Sequence, residues 1–204
     1  MKNHKSTLIL ALIFILSLNI SFAQTVDKKV ENKIAELKRN SIDTLICYYN
    51  FCTAETLDII VPDSCIVNES KYLFWVDHGI YYSQHFDNCN LYPVRKRDTS
   101  EFLEIALSRL DSIRNAEIKI VEHYNKDKNS KVTDSAEVLS VDHSYYTCFD
   151  FYIGNDSFKK SINKFDLETK MLDEKTANDN FEANQKSILK RLKDLVEEET
   201  QSGL

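Results

Sequence analysis

Two Asp-His pairs, Asp77-His78 and Asp142-His143, are the residues of this chain whose types could bind a metal ion. Imidazole nitrogens and carboxylate oxygens are ligands for zinc and other divalent ions. Each pair follows a valine and precedes a Tyr-Tyr doublet, so the two segments resemble an internal repeat. The second segment is one residue shorter at two places, and such a shift in a strand moves side chains to the opposite face. The pairs therefore predict a divalent metal site only if both lie in turns at one end of a sheet. Chance similarity of two turn-and-strand segments is the competing interpretation.

Three tyrosine doublets, at 48–49, 81–82 and 145–146, form the second candidate site, one for binding a ligand. Successive side chains of a strand point to opposite faces, so each doublet places one ring on each face. If the outward rings came from neighbouring strands, they would form an aromatic strip for a sugar ring, a peptide or a partner protein. The residues expected to bind a ligand are Tyr49, Tyr82, Tyr146 and Trp75. The alternative is that tyrosine is simply a favourable strand residue.

No catalytic residue is predicted. Cys148 or Ser144 with His143 would supply a nucleophile and a base, but closeness in sequence does not bring an orienting group and an oxyanion site to them. The chain has three glycines, at 79, 154 and 203. Phosphate-binding loops, dinucleotide fingerprints and nucleophile elbows need glycines at spacings that these three cannot supply. Those enzyme classes are therefore excluded, and the motifs present do not identify a family.

The first 23 residues indicate a secretory signal peptide. Lys2 and Lys5 precede an apolar run at 8–18, and Ser21 and Ala23 are small residues of the kind that signal peptidase reads. The run is shorter than the about 20 residues that a membrane-spanning helix needs. We therefore expect residues 24–204 to be exported as one soluble domain, periplasmic or extracellular, with no transmembrane segment after cleavage.

The net charge limits the classes of partner that the protein is expected to bind. Removing residues 1–23 removes two of the 26 Lys and Arg and none of the 32 Asp and Glu, so the net charge becomes −8. Nucleic acid is excluded as a partner, because a protein that binds phosphate backbones needs a basic surface. The local cluster at 95–97 is interpreted as a solvated turn before a helix.

The five cysteines fit an exported protein, in which disulfides can form. Their odd number leaves at least one outside an intramolecular disulfide. Cys52, Cys65 and Cys89 lie near predicted turns and are expected to be able to meet. Cys47 and Cys148 lie in apolar runs and are expected to pack as small hydrophobic residues.

The apolar periodicity predicts three helical regions and a series of strands. The helices are expected at 26–42, from a polar cap at 98–101 onward, and at 179–199. The strands are expected at 44–51, 57–61, 72–76, 80–86, 117–124, 138–141, 145–153 and 158–165. Turns at 77–79 and 154–156 predict two β-hairpins, and residues 125–131 predict a loop.

These elements predict an α+β fold in which an antiparallel sheet of about five to eight strands carries the N-terminal, middle and C-terminal helices. The expected function is that of an exported, non-catalytic binding protein for a partner protein, a peptide or a glycan, with no cofactor. The alternative is a metal-dependent enzyme or metal-binding protein that uses the Asp-His pairs with zinc or another divalent ion.

Overall fold

The structure is a computed structural model that describes residues 25–53, 67, 69–90, 92–124 and 136–201. Within these residues the chain forms six helices and eight strands. The helices are α1 Val26–Arg39, α2 Glu101–Ser108, α3 Leu110–Asn115, α4 Lys164–Glu168, α5 Phe181–Gln185 and α6 Ile188–Gln201. The strands are β1 Thr44–Cys52, β2 Ser70–Asp77, β3 Ile80–Asp87, β4 Arg95–Arg97, β5 Val121–Tyr124, β6 Ala136–Leu139, β7 Tyr145–Ile153 and β8 Asp156–Asn163.

Six of the strands form one antiparallel sheet in the order β4-β3-β2-β1-β7-β8. The long strand β1 lies at its centre and pairs with β2 on one side and with β7 on the other. Strands β5 and β6 form a separate two-stranded ribbon. The expected α+β fold with an antiparallel sheet and packed helices is therefore confirmed.

Helices cover both faces of the sheet. On one face α2, α3 and α6 enclose the larger core, in which Phe74, Phe102 and Phe149 are almost completely buried. On the other face α1 encloses a second core that includes Leu45 and Trp75. The alternation of side chains along each strand divides the apolar residues between these two layers.

Helix α1 can be derived from local sequence. The Thr25 hydroxyl oxygen accepts a hydrogen bond from the backbone N–H of Lys28 at 3.3 Å and so caps the first turn. Val26, Val30 and Leu37 recur at helical spacing and are buried, whereas lysines and glutamates occupy the other sides. The apolar stripe packs on β2 and β3.

Both predicted hairpins are present, since β2 joins β3 and β7 joins β8 through tight turns. The first turn needs two positive φ angles, +48° at His78 and +76° at Gly79. Gly154 in the second turn has a φ of +60°. Glycine reaches this region without steric cost, so the glycines at these turns have a conformational reason.

Four local predictions are corrected. Arg95–Arg97 is an edge strand paired with β3, not a free turn. Residues 164–165 begin helix α4, and the predicted C-terminal helix is interrupted between Gln185 and Ile188. Residues 117–120 are not a strand because the Asn184 side chain holds their backbone. Its Oδ1 accepts from the Lys119 N–H at 2.9 Å, and its Nδ2 donates to the Lys119 carbonyl at 2.8 Å.

The expectation for Cys47 and Cys148 is met. Cys47 and Cys148 are free thiols with 2% and 0% exposure, so they pack as small hydrophobic residues. Burial raises the pKa of Cys47 to about 12. Cys89 is disulfide-bonded.

Several predictions concern residues outside the described part of the chain. These are the signal peptide, the strand at 57–61, the loop at 125–131 and Cys65. Among the described helices, none has the length and apolar character needed to cross a membrane.

Candidate ligand-binding site

The aromatic residues expected to bind a ligand share one face of the sheet, the face toward α1. Trp75 and Tyr82 are cross-strand neighbours whose rings stack at 5.6 Å. Trp75 is only 4% exposed, and the Lys33 ammonium of α1 lies 5.7 Å above its ring. This pair therefore belongs to the second core, beneath the helix.

Tyr49 lies on the same face between two lysines. The ammonium groups of Lys71 and Lys159 are 4.2 Å and 5.1 Å from its ring centroid. The Tyr49 hydroxyl oxygen also accepts a hydrogen bond from Lys159 Nζ at 2.5 Å. Lys71 in turn pairs with Asp27 of α1, so the helix holds this cluster in place. Tyr49 is consequently half-buried, and burial raises the pKa of its hydroxyl.

Asp150 lies beside Tyr49, in surroundings that disfavour the charged form of its carboxyl group. Its Oδ1 is buried without a hydrogen bond, although Lys159 Nζ stands 3.9 Å away. Burial raises the pKa of the carboxyl, and the two nearby lysines only partly oppose the rise.

The two Asp-His pairs lie at opposite ends of the sheet. Asp77 and His78 form the β2–β3 turn, where His78 Nδ1 is 2.6 Å from Asp77 Oδ1. Asp142 and His143 precede β7 and lie near the far end of β1. The nine residues of β1 separate the pairs by roughly 30 Å. No group of three or more His, Cys, Asp or Glu side chains suited to one metal ion occurs in the part of the chain that the structure describes.

The side chains of the candidate nucleophiles make hydrogen bonds to β8. The Ser144 hydroxyl donates to Asn163 Oδ1, and Ser144 is 4% exposed. The Cys148 sulfur is 3.4 Å from the Ser161 hydroxyl oxygen. These polar contacts hold β7 and β8 together instead of presenting a reactive group to solvent.

A different histidine, His85, is hydrogen-bonded to a serine. Its Nε2 is 2.8 Å from Ser70 Oγ, and its ring lies between those of Tyr72 and Tyr92 at 4.4 Å and 4.1 Å. Burial lowers the pKa of His85, and the Arg95 guanidinium acts in the same direction. The adjoining cavity measures about 20 Å³, which is room for little more than one water molecule. This cavity beside His85 therefore lacks space for a substrate.

Two larger cavities adjoin at the end of the sheet where β7 begins. Their volumes are about 200 Å³ and 340 Å³, and Tyr145 and Lys164 line both. We call them together the Tyr145 crevice. The other lining residues are Asn50, Tyr146, Thr147, Lys193 and Glu197 in the smaller cavity and Val141, His143, Ser144, Phe165, Glu168 and Thr169 in the larger.

Tyr145 is the most exposed aromatic residue of this region, with 64% of its surface accessible. It is held at the start of β7, where Thr53, the residue after β1, fixes the backbone through two hydrogen bonds. The Thr53 N–H donates to the Ser144 carbonyl at 3.0 Å, and the Ser144 N–H donates to Thr53 Oγ1 at 3.0 Å. The ring is thus an open surface on a rigid strand. Tyr146, the other member of the doublet, is half-buried and stacks on Phe51 at 5.0 Å.

The smaller cavity has a polar, uncharged side formed by β1 and β7. Asn50 Nδ2 donates to the Tyr48 hydroxyl oxygen at 2.9 Å, and the Thr147 hydroxyl donates to Asn50 Oδ1 at 2.8 Å. Burial raises the pKa of Tyr48 to about 12, so its hydroxyl keeps its proton. This network fixes the Asn50 amide, which retains a second N–H and a second oxygen lone pair.

The charged residues of the crevice occur as pairs of opposite sign. Lys193 Nζ is 2.8 Å from Glu197 Oε2, and Lys164 Nζ is 3.9 Å from Glu168 Oε2. The four charges sum to zero. The crevice therefore offers hydrogen-bond donors and acceptors without a net attraction for an ion.

Comparison of the chain with protein-family models, curated proteins and solved structures gives no match. Function is therefore inferred from the residues of the chain themselves.

Two residues that line the Tyr145 crevice are predicted from the sequence as site residues. These are His143, for a metal site, and Tyr146, for an aromatic strip. Tyr145, Asn50 and Lys164 are not predicted as binding residues. The doublet at 145–146 was the available signal. Strand alternation shows that its two rings face apart, but it does not show which face a helix covers.

Proposed function

We propose that this protein is an exported, non-catalytic binding protein whose Tyr145 crevice holds a neutral sugar unit of a glycan. The observation that carries the proposal is the open Tyr145 ring between two adjoining cavities. An aromatic face provides a large contact area at low entropic cost and suits the apolar face of a sugar ring.

The polar groups around the ring support a neutral ligand. The Asn50 amide and the paired Lys193 and Glu197 offer both donors and acceptors within one cavity. Sugar hydroxyls both donate and accept, so they match such a mixed lining. An ionic ligand would have to separate the existing ion pairs, which costs part of the binding free energy.

Two observations support the exported location, periplasmic or extracellular. The N-terminal sequence has the charged, apolar and small-residue regions of a signal peptide. The disulfide at Cys89 fits an oxidising compartment. The metal-dependent alternative lacks comparable support in the described residues, because the register of β1 separates the two Asp-His pairs.

The test is a binding assay on residues 24–204 with a panel of neutral oligosaccharides built from glucose, galactose, mannose and N-acetylglucosamine. We expect at least one to bind, and Tyr145→Ala to lower its affinity about tenfold, since an aromatic contact contributes roughly 1.4 kcal/mol. Tyr145→Phe should retain the affinity because it retains the ring. Tyr124→Ala is the matched control, because Tyr124 is an exposed ring outside the crevice.

The proposal is wrong if no oligosaccharide binds, or if Tyr145→Ala binds as well as the unchanged protein. Capture of short peptides by the crevice, with no sugar bound, would replace the glycan by a peptide as the ligand.

A further inference from the structure

Three of the described edge strands, β4, β8 and β5, carry features that hinder pairing with another chain. The edge of β6 differs from them. An unprotected edge strand exposes N–H and C=O groups to pairing with another chain, so proteins shorten it, charge it or cover it. The edge strand β4 has only three residues, all of them Arg or Lys. The opposite edge, β8, carries Lys159 and Lys160 at its centre. Both edges of the large sheet thus carry such features.

Strand β5 of the ribbon is covered by side chains from the segment before α5. The Glu122 N–H donates to Asn178 Oδ1 at 3.3 Å, and the Tyr124 N–H donates to Asp179 Oδ2 at 2.9 Å. The Asp179 N–H donates to the Glu122 carbonyl at 2.9 Å. Three backbone groups of this edge are therefore hydrogen-bonded within the chain.

Strand β6 has no such cover among the described residues. It pairs with β5 alone, and all four of its residues are exposed. In a regular antiparallel ladder alternate residues direct their N–H and C=O groups away from the partner strand, so about half of those of β6 face outward. Residues 136–143 contain no Lys, Arg or Pro. The lysine and arginine side chains that guard β4 and β8 are missing here.

The surface of this edge is apolar and acidic. Val138 is 56% exposed and Leu139 37% exposed, and the apolar surface continues to Val141 at 41%. Glu137 and Asp142 are the charged residues of this stretch, and both are exposed. A two-stranded ribbon alone is marginally stable, and a third strand would bury more of its apolar side chains.

From these features we infer that β6 is a docking edge for an extended peptide segment of a partner protein, in which apolar and basic residues alternate. The segment adds a third strand to the ribbon through main-chain hydrogen bonds, as in other cases of β-strand addition. Its apolar side chains contact Val138, and its basic side chains lie on the opposite face, near Glu137. The backbone pairing uses Ala136–Leu139, which do not line the Tyr145 crevice, although the apolar surface of the edge meets the crevice at Val141.

The probe is a short capped peptide in which valine and lysine alternate, tested with residues 24–204 by NMR titration. We expect binding, with the amides of Ala136–Leu139 as the most strongly shifted signals. Replacing the peptide's lysines by glutamates should lower the affinity about tenfold or more, because like charges then face each other. Methylation of alternate backbone nitrogens of the peptide should abolish binding, because it removes the donors that a strand needs.

The protein variant Val138→Lys places a guarding charge on β6 and should also weaken binding of the valine-lysine peptide about tenfold. Val138→Thr is its matched control, because it keeps a β-branched residue and adds no charge. It should bind within about twofold of the unchanged protein.

Three results would overturn the inference. The first is equal binding of the methylated peptide or of the glutamate peptide. The second is no binding of the valine-lysine peptide by the unchanged, folded protein. The third is slow hydrogen exchange of all the β6 amides in the free protein, which would show that the edge is already covered.

Discussion

The molecule contains two aromatic regions of similar composition and opposite accessibility. On the α1 side of the sheet, Trp75 and Tyr49 lie under a helix or beneath lysine ammonium groups. At the start of β7, Tyr145 is open to solvent between two cavities. The difference shows that the same types of strand residue become core or solvent-exposed surface according to what packs over them.

The length and position of α1 account for the closed region. The helix has 14 residues and packs against β2 and β3. Tyr145 belongs to the opposite face of the sheet, the face of Phe149 and Phe151, and there α4 and α6 border the crevice without closing it. The two regions can therefore be tested against each other by substitutions of the same type.

The largest expected effect is the loss of stability on truncation under α1. Trp75→Ala should lower the free energy of unfolding by about 3–5 kcal/mol, because it removes a buried ring and leaves a cavity. Tyr145→Ala should change it by less than about 0.5 kcal/mol, since an exposed side chain makes few contacts. Urea denaturation followed by circular dichroism measures both values. Similar losses in the two variants would show that the contrast between the regions is wrong.

A smaller effect is expected from the buried carboxyl on the closed side. Since burial raises the pKa of Asp150, the folded protein binds this proton more tightly than the unfolded chain does. Stability is therefore lost as the pH rises from the ordinary carboxyl pKa through the raised one. Asp150→Asn should match the unchanged protein near pH 3 and become more stable than it toward pH 7.

Denaturation midpoints measured across this pH range test the prediction, with Asp142→Asn as the control because Asp142 is exposed. If Asp150→Asn were instead less stable than the unchanged protein at pH 7, the attraction of Lys159 and Lys71 would outweigh the burial of the charge.

Much of the fold could be predicted because its signals are local. The cap at Thr25 and the apolar stripe from Val26 to Leu37 define α1 without reference to other elements. The predicted cap of α2 is likewise present, since Ser100 Oγ accepts from the Leu103 N–H at 3.2 Å. The glycine at 79 marks the turn between β2 and β3.

The parts that escaped prediction depend on distant residues. Arg95–Arg97 has no apolar pattern and becomes a strand only through backbone pairing with β3. Lys119 is held by Asn184, 65 residues further along the chain. The exposure of Tyr145 likewise depends on where α4 and α6 end. Sequence periodicity carries none of this information, so the proposed binding site could not be located from it.

The most direct test of the central claim is to locate a bound sugar on the protein. Backbone amide shifts of isotopically labelled residues 24–204 would be recorded during titration with the tightest-binding oligosaccharide of the panel. The proposed site predicts that the shifts concentrate at Asn50, Tyr145 and Lys164 and disappear in Tyr145→Ala. Shifts concentrated around Tyr49, Trp75 and Tyr82, or none anywhere, would contradict it.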